Sequence, residues 1–186
     1  MSLPESNREV SLQRIPARPR FGCKGPLAET WLRELALEVP QGANTWTCRT
    51  HVLVARLATS EFLVEAVAGG GSAARPRIIE AARRLYDPQL RRTGLVPVLR
   101  QDTVLELSGT RANDLLAETC NVNFVPHARA ARADGGTLVL TSMIGVGVTV
   151  IARRAGSDLT YTIWCDPSFD HYLWSTLAAI AAGMGN

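Results

Sequence analysis

Apolar positions along this chain recur in two rhythms, and the switches between them mark its elements. In residues 26–37, Leu27, Trp31, Leu32 and Leu35 fall on one stripe at helical spacing, and Pro26 suits a first turn, where its missing N–H costs little. The same spacing predicts a helix over 75–85, with Ile78, Ile79, Ala82 and Leu85 on one side, ended by Pro88 and Gly94. A third helix is predicted over 110–120, capped by Thr110 with Leu115 and Leu116 inward, and a last one over 168–182, with Tyr172, Leu173, Leu177 and Ile180 on one face. Partly β-branched runs predict extended chain at 47–57, 61–66 and 160–165, a strand within 96–107 that leads into the third helix, and a hairpin of 137–143 with 145–152 turning near Ile144 and Gly145. Residues 42–46 read as a turn and 127–136 as a basic loop closed by glycine. The triplet Gly69-Gly70-Gly71, followed by Ser72, lacks the Gly-Lys-Ser/Thr of a phosphate cradle and reads as a flexible loop.

Two helix openings echo each other 84 residues apart. Lys24-Gly25-Pro26-Leu27-Ala28 aligns with Ser108-Gly109-Thr110-Arg111-Ala112, Leu32 with Leu116, and Glu34 with Glu118. In each copy a glycine stands at the strand-to-helix corner, and an alanine on the inner face allows close helix–sheet approach. Strands and another helix follow each copy, so the element order repeats. Helices inserted into runs of strands, without strict βαβ alternation, predict an α+β fold with a mostly antiparallel sheet covered on one face, some of its strands buried on both faces. Residues 1–20 are polar and carry Pro4, Pro16 and Pro19, so they are expected to be disordered or to lie extended on something else. Residues 21–186 then form one α+β domain of two similar halves, about 21–95 and 96–186.

Composition narrows the function. The chain is 46% hydrophobic and 20% charged, with a net charge of +3. Lys24 is its single lysine, and the arginines are scattered, with pairs at 83–84, 91–92 and 153–154. That balance reads as a solvated surface and argues against a nucleic-acid partner. No signal-type apolar segment and no run of membrane-spanning length occur, so a cytoplasmic protein without a membrane partner is expected. Cys23, Cys48, Cys120 and Cys165 are too far apart in sequence for a local metal motif and are expected as reduced, mostly buried thiols. His51, His127 and His171 offer no metal-ligand spacing. There is no Gly-x-Ser-x-Gly elbow and no Gly-x-Gly-x-x-Gly fingerprint, so no catalytic residue, metal or bound flavin is assigned to this chain.

Two clusters stand out. Arg100-Gln101-Asp102 interrupts an apolar stretch, which fits an edge strand, a structural Arg–Asp pair, or a polar contact to a partner subunit. In the segment 164–169, Asp166 or Ser168 can cap the last helix, with Pro167 in its first turn. Tyr161, Trp164, Phe169, Tyr172 and Trp174 make the surrounding region aromatic, as either core or interface. Arg100, Asp102, Trp164, Asp166, Tyr172 and Trp174 are the candidates for a partner interface.

The segments 21–26, 44–46, 56–57 and 61–64, then 98–102 (Val-Leu-Arg-Gln-Asp), 107–109, 115–120, 141–146, 163–168 (Ile-Trp-Cys-Asp-Pro-Ser) and 172–177, taken in order, resemble the gamma-subunit family of heterotetrameric sarcosine oxidases. The resemblance spans about residues 21–182. It implies a fold similar to the folate-binding domain of aminomethyltransferases. It also implies a non-catalytic role beside larger alpha and beta subunits and a small delta subunit, in a complex that oxidatively demethylates sarcosine or a related N-methyl amino acid. FAD, FMN, NAD and tetrahydrofolate are then expected in the partner subunits and not here. The alternative is a stand-alone folate-dependent, aminomethyltransferase-like one-carbon transfer protein, for which Asp102 or Asp166 would be the acidic residue.

Overall fold

Strands and helices fall near the positions the apolar rhythm predicts, and most of the differences arise at turns. The computed structural model describes residues 9–67 and 73–184; the glycine triplet lies outside them. The chain divides into two units, Arg18–Arg100 and a second made of the chain up to Ala17 together with everything from Gln101 onward.

In the Arg18–Arg100 unit the elements are β2 (Arg20–Lys24), α1 (Ala28–Glu34), β3 (Thr45–Arg49), β4 (Val52–Ala58), β5 (Glu61–Ala66), α2 (Ala74–Tyr86) and β6 (Val96–Val98). Its strands are ordered β3-β4-β5-β2-β6. The other unit contains β1 (Ser11–Ile15), β7 (Thr103–Ser108), α3 (Ala112–Thr119), α4 (Val125–Ala130), β8 (Gly135–Met143), β9 (Val146–Ala155), β10 (Asp158–Cys165) and α5 (Asp170–Gly183). Its order, β8-β9-β10-β7-β1, is the same plan. All the pairings within these two sets of strands are antiparallel. The fold is therefore α+β with a duplicated, largely antiparallel sheet.

The duplication extends to backbone angles. Gly25 and Gly109 take φ of 113° and 111° at the two strand-to-helix corners. Ala28 and Ala112 then donate their N–H groups back to the carbonyls of Gly25 and Gly109, at 3.0 and 3.3 Å. Both alanines and their partners Leu32 and Leu116 are fully buried. Register repeats as well: Lys24 faces Glu61 where Ser108 faces Thr160.

The edge strands depart from the expected halves. β1 precedes β2 in the chain but pairs with β7, while β6 precedes β7 but pairs with β2. The two edge strands are thus exchanged. Residues 11–15 are extended, and the surface they lie on is this chain's own β7. Leu12 packs there against the core, and Arg14 reaches α5, 3.2 Å from Asp170 and stacked 4.6 Å from the Trp174 ring centroid.

Each unit has its own core. One gathers Phe21, Trp31, Leu32, Phe62 and Ile78; the other gathers Leu105, Leu115, Met143, Tyr161 and Leu173. Residues of opposite strand parity, such as Leu53, Ala55, Ile151 and Trp164, are buried too, so central strands are buried on both faces. On that second parity Glu65 is wholly buried, 3.4 Å from Arg18 and 3.1 Å from Arg20.

Four expectations are corrected. The run 47–57 is not one strand but the hairpin β3–β4, turned at Thr50 and His51 with φ of 45° and 62°. The usual Asn-Gly signal for such a two-residue turn is missing, so the apolar run conceals it. The run 96–107 is two strands in different units, broken at 99–102. Part of the loop predicted at 127–136 is α4, with Pro126 in its first turn and the Val125 N–H bonded to the Asn123 side chain at 3.0 Å. Thr110 does not cap the third helix, whose N-terminus has no side-chain cap; the glycine corner turns the chain in its place.

Candidate functional site

The break between β6 and β7 carries Arg100, and the structure gives it a definite seat. Its Nη2 lies 2.6 Å from Glu61 Oε1. Its stem crosses Gly22 of β2 so closely that a Cβ there would stand 2.9 Å from Arg100 Cγ and Nε and from the Val98 carbonyl. Gly22 therefore leaves room both for the Arg100 side chain and for the close approach of β6. Arg100 Nε is buried without a hydrogen-bond partner. Tyr86 donates from its hydroxyl to the Val98 carbonyl at 2.8 Å, closing the same corner. Beneath it, burial pushes the Cys23 thiol up to about 12, with Arg100 opposing and Glu61 adding to the shift. Of the structural readings left open for Arg100, the ion pair is real, but its acid is Glu61 and not Asp102.

The other five candidates fall in the second unit. Asp166 is exposed and accepts from the Ser168 N–H at 2.8 Å and the Ser168 hydroxyl at 2.6 Å; these bonds hold its carboxyl below the usual range. It caps a short turn, Pro167–Phe169, that leads into α5. Burial pushes the Cys165 thiol up to about 11, helped by the charges of Asp170, Asp102 and Asp166 around it. The structure thus brings Asp102 and Asp166 to one end of β10. Trp164 is 2% exposed, so its ring faces the chain's own interior. Trp174 is half-buried against the core under Arg14. Tyr172 is 50% exposed, not inward as the helical stripe implied, and its hydroxyl donates to the Ile144 carbonyl at 3.1 Å.

Sequence reasoning missed Glu61, Gly22 and Arg14. A glycine inside a strand pattern was the one available signal, since it marks a close approach. The histidines do not converge: His51 is exposed in its turn, His171 is exposed on α5, and His127 Nδ1 lies 3.0 Å from the Thr137 hydroxyl. Among the described residues no group of three His, Cys, Asp or Glu is placed to hold a metal, and no helix is long and apolar enough to cross a membrane.

Strand order, duplicated corners and register define a class: a duplicated α+β protein built on antiparallel sheet. No protein-family model and no curated protein matches the sequence. Solved structures do match the fold. A chain of the heterotetrameric sarcosine oxidase from Corynebacterium sp. U-96, in complex with pyrrole 2-carboxylate, superposes with a TM-score of 0.73. The match covers 97% of this chain and 88% of that one, at 17% identity. The glycine cleavage system aminomethyltransferase T from Bartonella henselae superposes with a TM-score of 0.56 at 15% identity, over 92% of this chain. This chain spans only 46% of that enzyme. At these identities the likeness is one of fold.

Proposed function

We propose that this chain is a gamma-type structural subunit of a complex like heterotetrameric sarcosine oxidase, oxidising sarcosine or a related N-methyl amino acid. In this reading flavins, NAD and tetrahydrofolate belong to partner subunits, and this chain supports their assembly. The observation that carries it is the reciprocal coverage of the sarcosine oxidase match, 97% and 88%, which makes the two chains near-equal in length as well as alike in fold. The aminomethyltransferase match leaves more than half of that enzyme without a counterpart.

Local features support a structural role. The raised thiols of Cys23, Cys120 and Cys165 are protonated near neutral pH and poor nucleophiles. β6 ends its strand order, and Val96 and Leu99, 46% and 67% exposed, stand on or beside it. An open strand edge with exposed apolar side chains is a surface that another chain can cover.

The test is a tagged copy expressed in the native host. Two larger flavin-containing chains should co-purify with it; their absence under gentle extraction defeats the reading. In parallel, tetrahydrofolate should leave the melting temperature of the lone chain unmoved. A saturable rise that a simple aromatic carboxylate such as benzoate does not reproduce would favour the stand-alone one-carbon transfer protein, because a ligand of the native state stabilises by mass action.

A further inference from the structure

Two cavities of the Arg18–Arg100 unit differ in how their charges are met. The larger, about 320 Å³, is lined by Glu38, Arg49 and Arg77 among others. Arg49 pairs with Glu38 at 2.9 Å, and Arg77 donates to the carbonyls of Leu35 and Ala36 at the end of α1. Every charge there has a partner within the chain. The smaller, about 100 Å³, has Trp31, Leu85 and Leu95 in its wall and Arg84, Arg91 and Arg92 around it. No acidic residue lines it. Arg92 is held by Glu34 at 2.7 Å, with both side chains about half exposed. Arg84 and Arg91 are exposed and, among the described residues, make no hydrogen bond or ion pair.

A purely structural explanation covers only part of this. Arg84 sits in the last turn of α2, where a cation complements the negative end of the helix. Arg91 lies beyond that helix, past the Pro88–Leu90 turn, and has no such reason to be there. With Arg92 held by Glu34, the guanidiniums of Arg84 and Arg91 remain uncompensated beside one small cavity, and a bound anion lowers their mutual repulsion. The wall is firm: Trp31 is 4% exposed and set edge-to-face on Phe21 at 5.6 Å between centroids.

We propose that this pocket binds a small organic oxyanion, a carboxylate or phosphate carried on a short apolar body. Arginine's planar fork matches either oxyanion with paired hydrogen bonds. The indole and leucines suit an apolar body, and a cavity of about 100 Å³ limits that body to roughly one ring. The proposal stands apart from the assembly reading, since it concerns the lone chain and needs no partner.

The experiment titrates the full chain with phenyl phosphate, benzoate and benzyl alcohol at low salt. It follows the Trp31 indole N–H by NMR and the melting temperature in parallel. Either anion should give a saturable shift of that resonance and a rise in melting temperature, and the ratio of their affinities names the preferred oxyanion. Arg84→Gln with Arg91→Gln should weaken binding at least about tenfold, the loss expected of charge-assisted bonds. Arg83→Gln, which removes an arginine paired with Glu80 outside the cavity, should leave the affinity unchanged. The proposal is overturned if neither anion saturates, if benzyl alcohol binds as well, or if the double variant keeps its affinity while still folded.

Discussion

Cys23 and Cys165 show how burial sets the behaviour of single side chains here. Their thiols rise to about 12 and about 11 because the ionised form has no water to stabilise it. In the unfolded chain the same groups titrate near the ordinary value of about 8.5. Between that value and the folded one, the native state keeps protons that the unfolded chain has lost, so stability falls as pH rises through the window and is unaffected below it. Denaturant midpoints should therefore change little up to about pH 8 and drop by about pH 10.5, with a smaller drop for Cys23→Ala. An equal drop in wild type and variant would remove Cys23 as a cause. Glu65 is wholly enclosed but lies between Arg18 and Arg20, so its charge is matched where it sits.

The strand-to-helix corner is the unit that the sequence made easiest to read. Gly25 is required twice over. Its φ of 113° lies where side chains are strained, and an added Cβ would stand 2.4 Å from the Gly94 carbonyl oxygen. That carbonyl also accepts the Leu27 N–H at 3.0 Å, so it has little freedom to withdraw. Gly25→Ala should destabilise the chain by about 2 kcal/mol or more. Gly109→Ala should follow in the same direction, from its φ of 111° alone. Denaturant titration checks both, and an unchanged midpoint for Gly25→Ala would contradict the corner geometry. Where local chemistry is weaker, the sequence announces less. Thr50-His51 turns a hairpin without the residues that usually announce one, and α4 hides in a stretch that looked like loop because six residues give too little period to see.

Exchange of the edge strands makes the two repeats interdependent. A chain cut between residues 95 and 96, at the boundary the repeat suggests, leaves β1 on the fragment that lacks β7 and β6 on the fragment that lacks β2. The two fragments, co-expressed, should therefore co-purify as one species. Deleting residues 1–17 from the first should reduce that recovery, because it strips the β1–β7 ladder. Fragments that separate cleanly in size-exclusion chromatography would show that the exchanged strands do not hold them.

Periodicity and glycine placement specify much of this molecule: the helices α1, α2 and α5, although Leu27, Ile79 and Tyr172 of their expected inward stripes are exposed, the hairpin at Ile144–Gly145, the repeat, and the α+β class. These follow from neighbours a few residues apart, and that information is local. Other features depend on residues far apart in the chain. Arg100 finds Glu61, 39 positions away, and needs Gly22 to make room. Arg84 and Arg91, unremarkable as surface charges in sequence, meet around one cavity. β1 bypasses β2 for β7. A backbone hydrogen bond carries no side-chain signature of its partner, and a guanidinium's partner is chosen by whatever packing brings within reach, so only the folded chain could decide them.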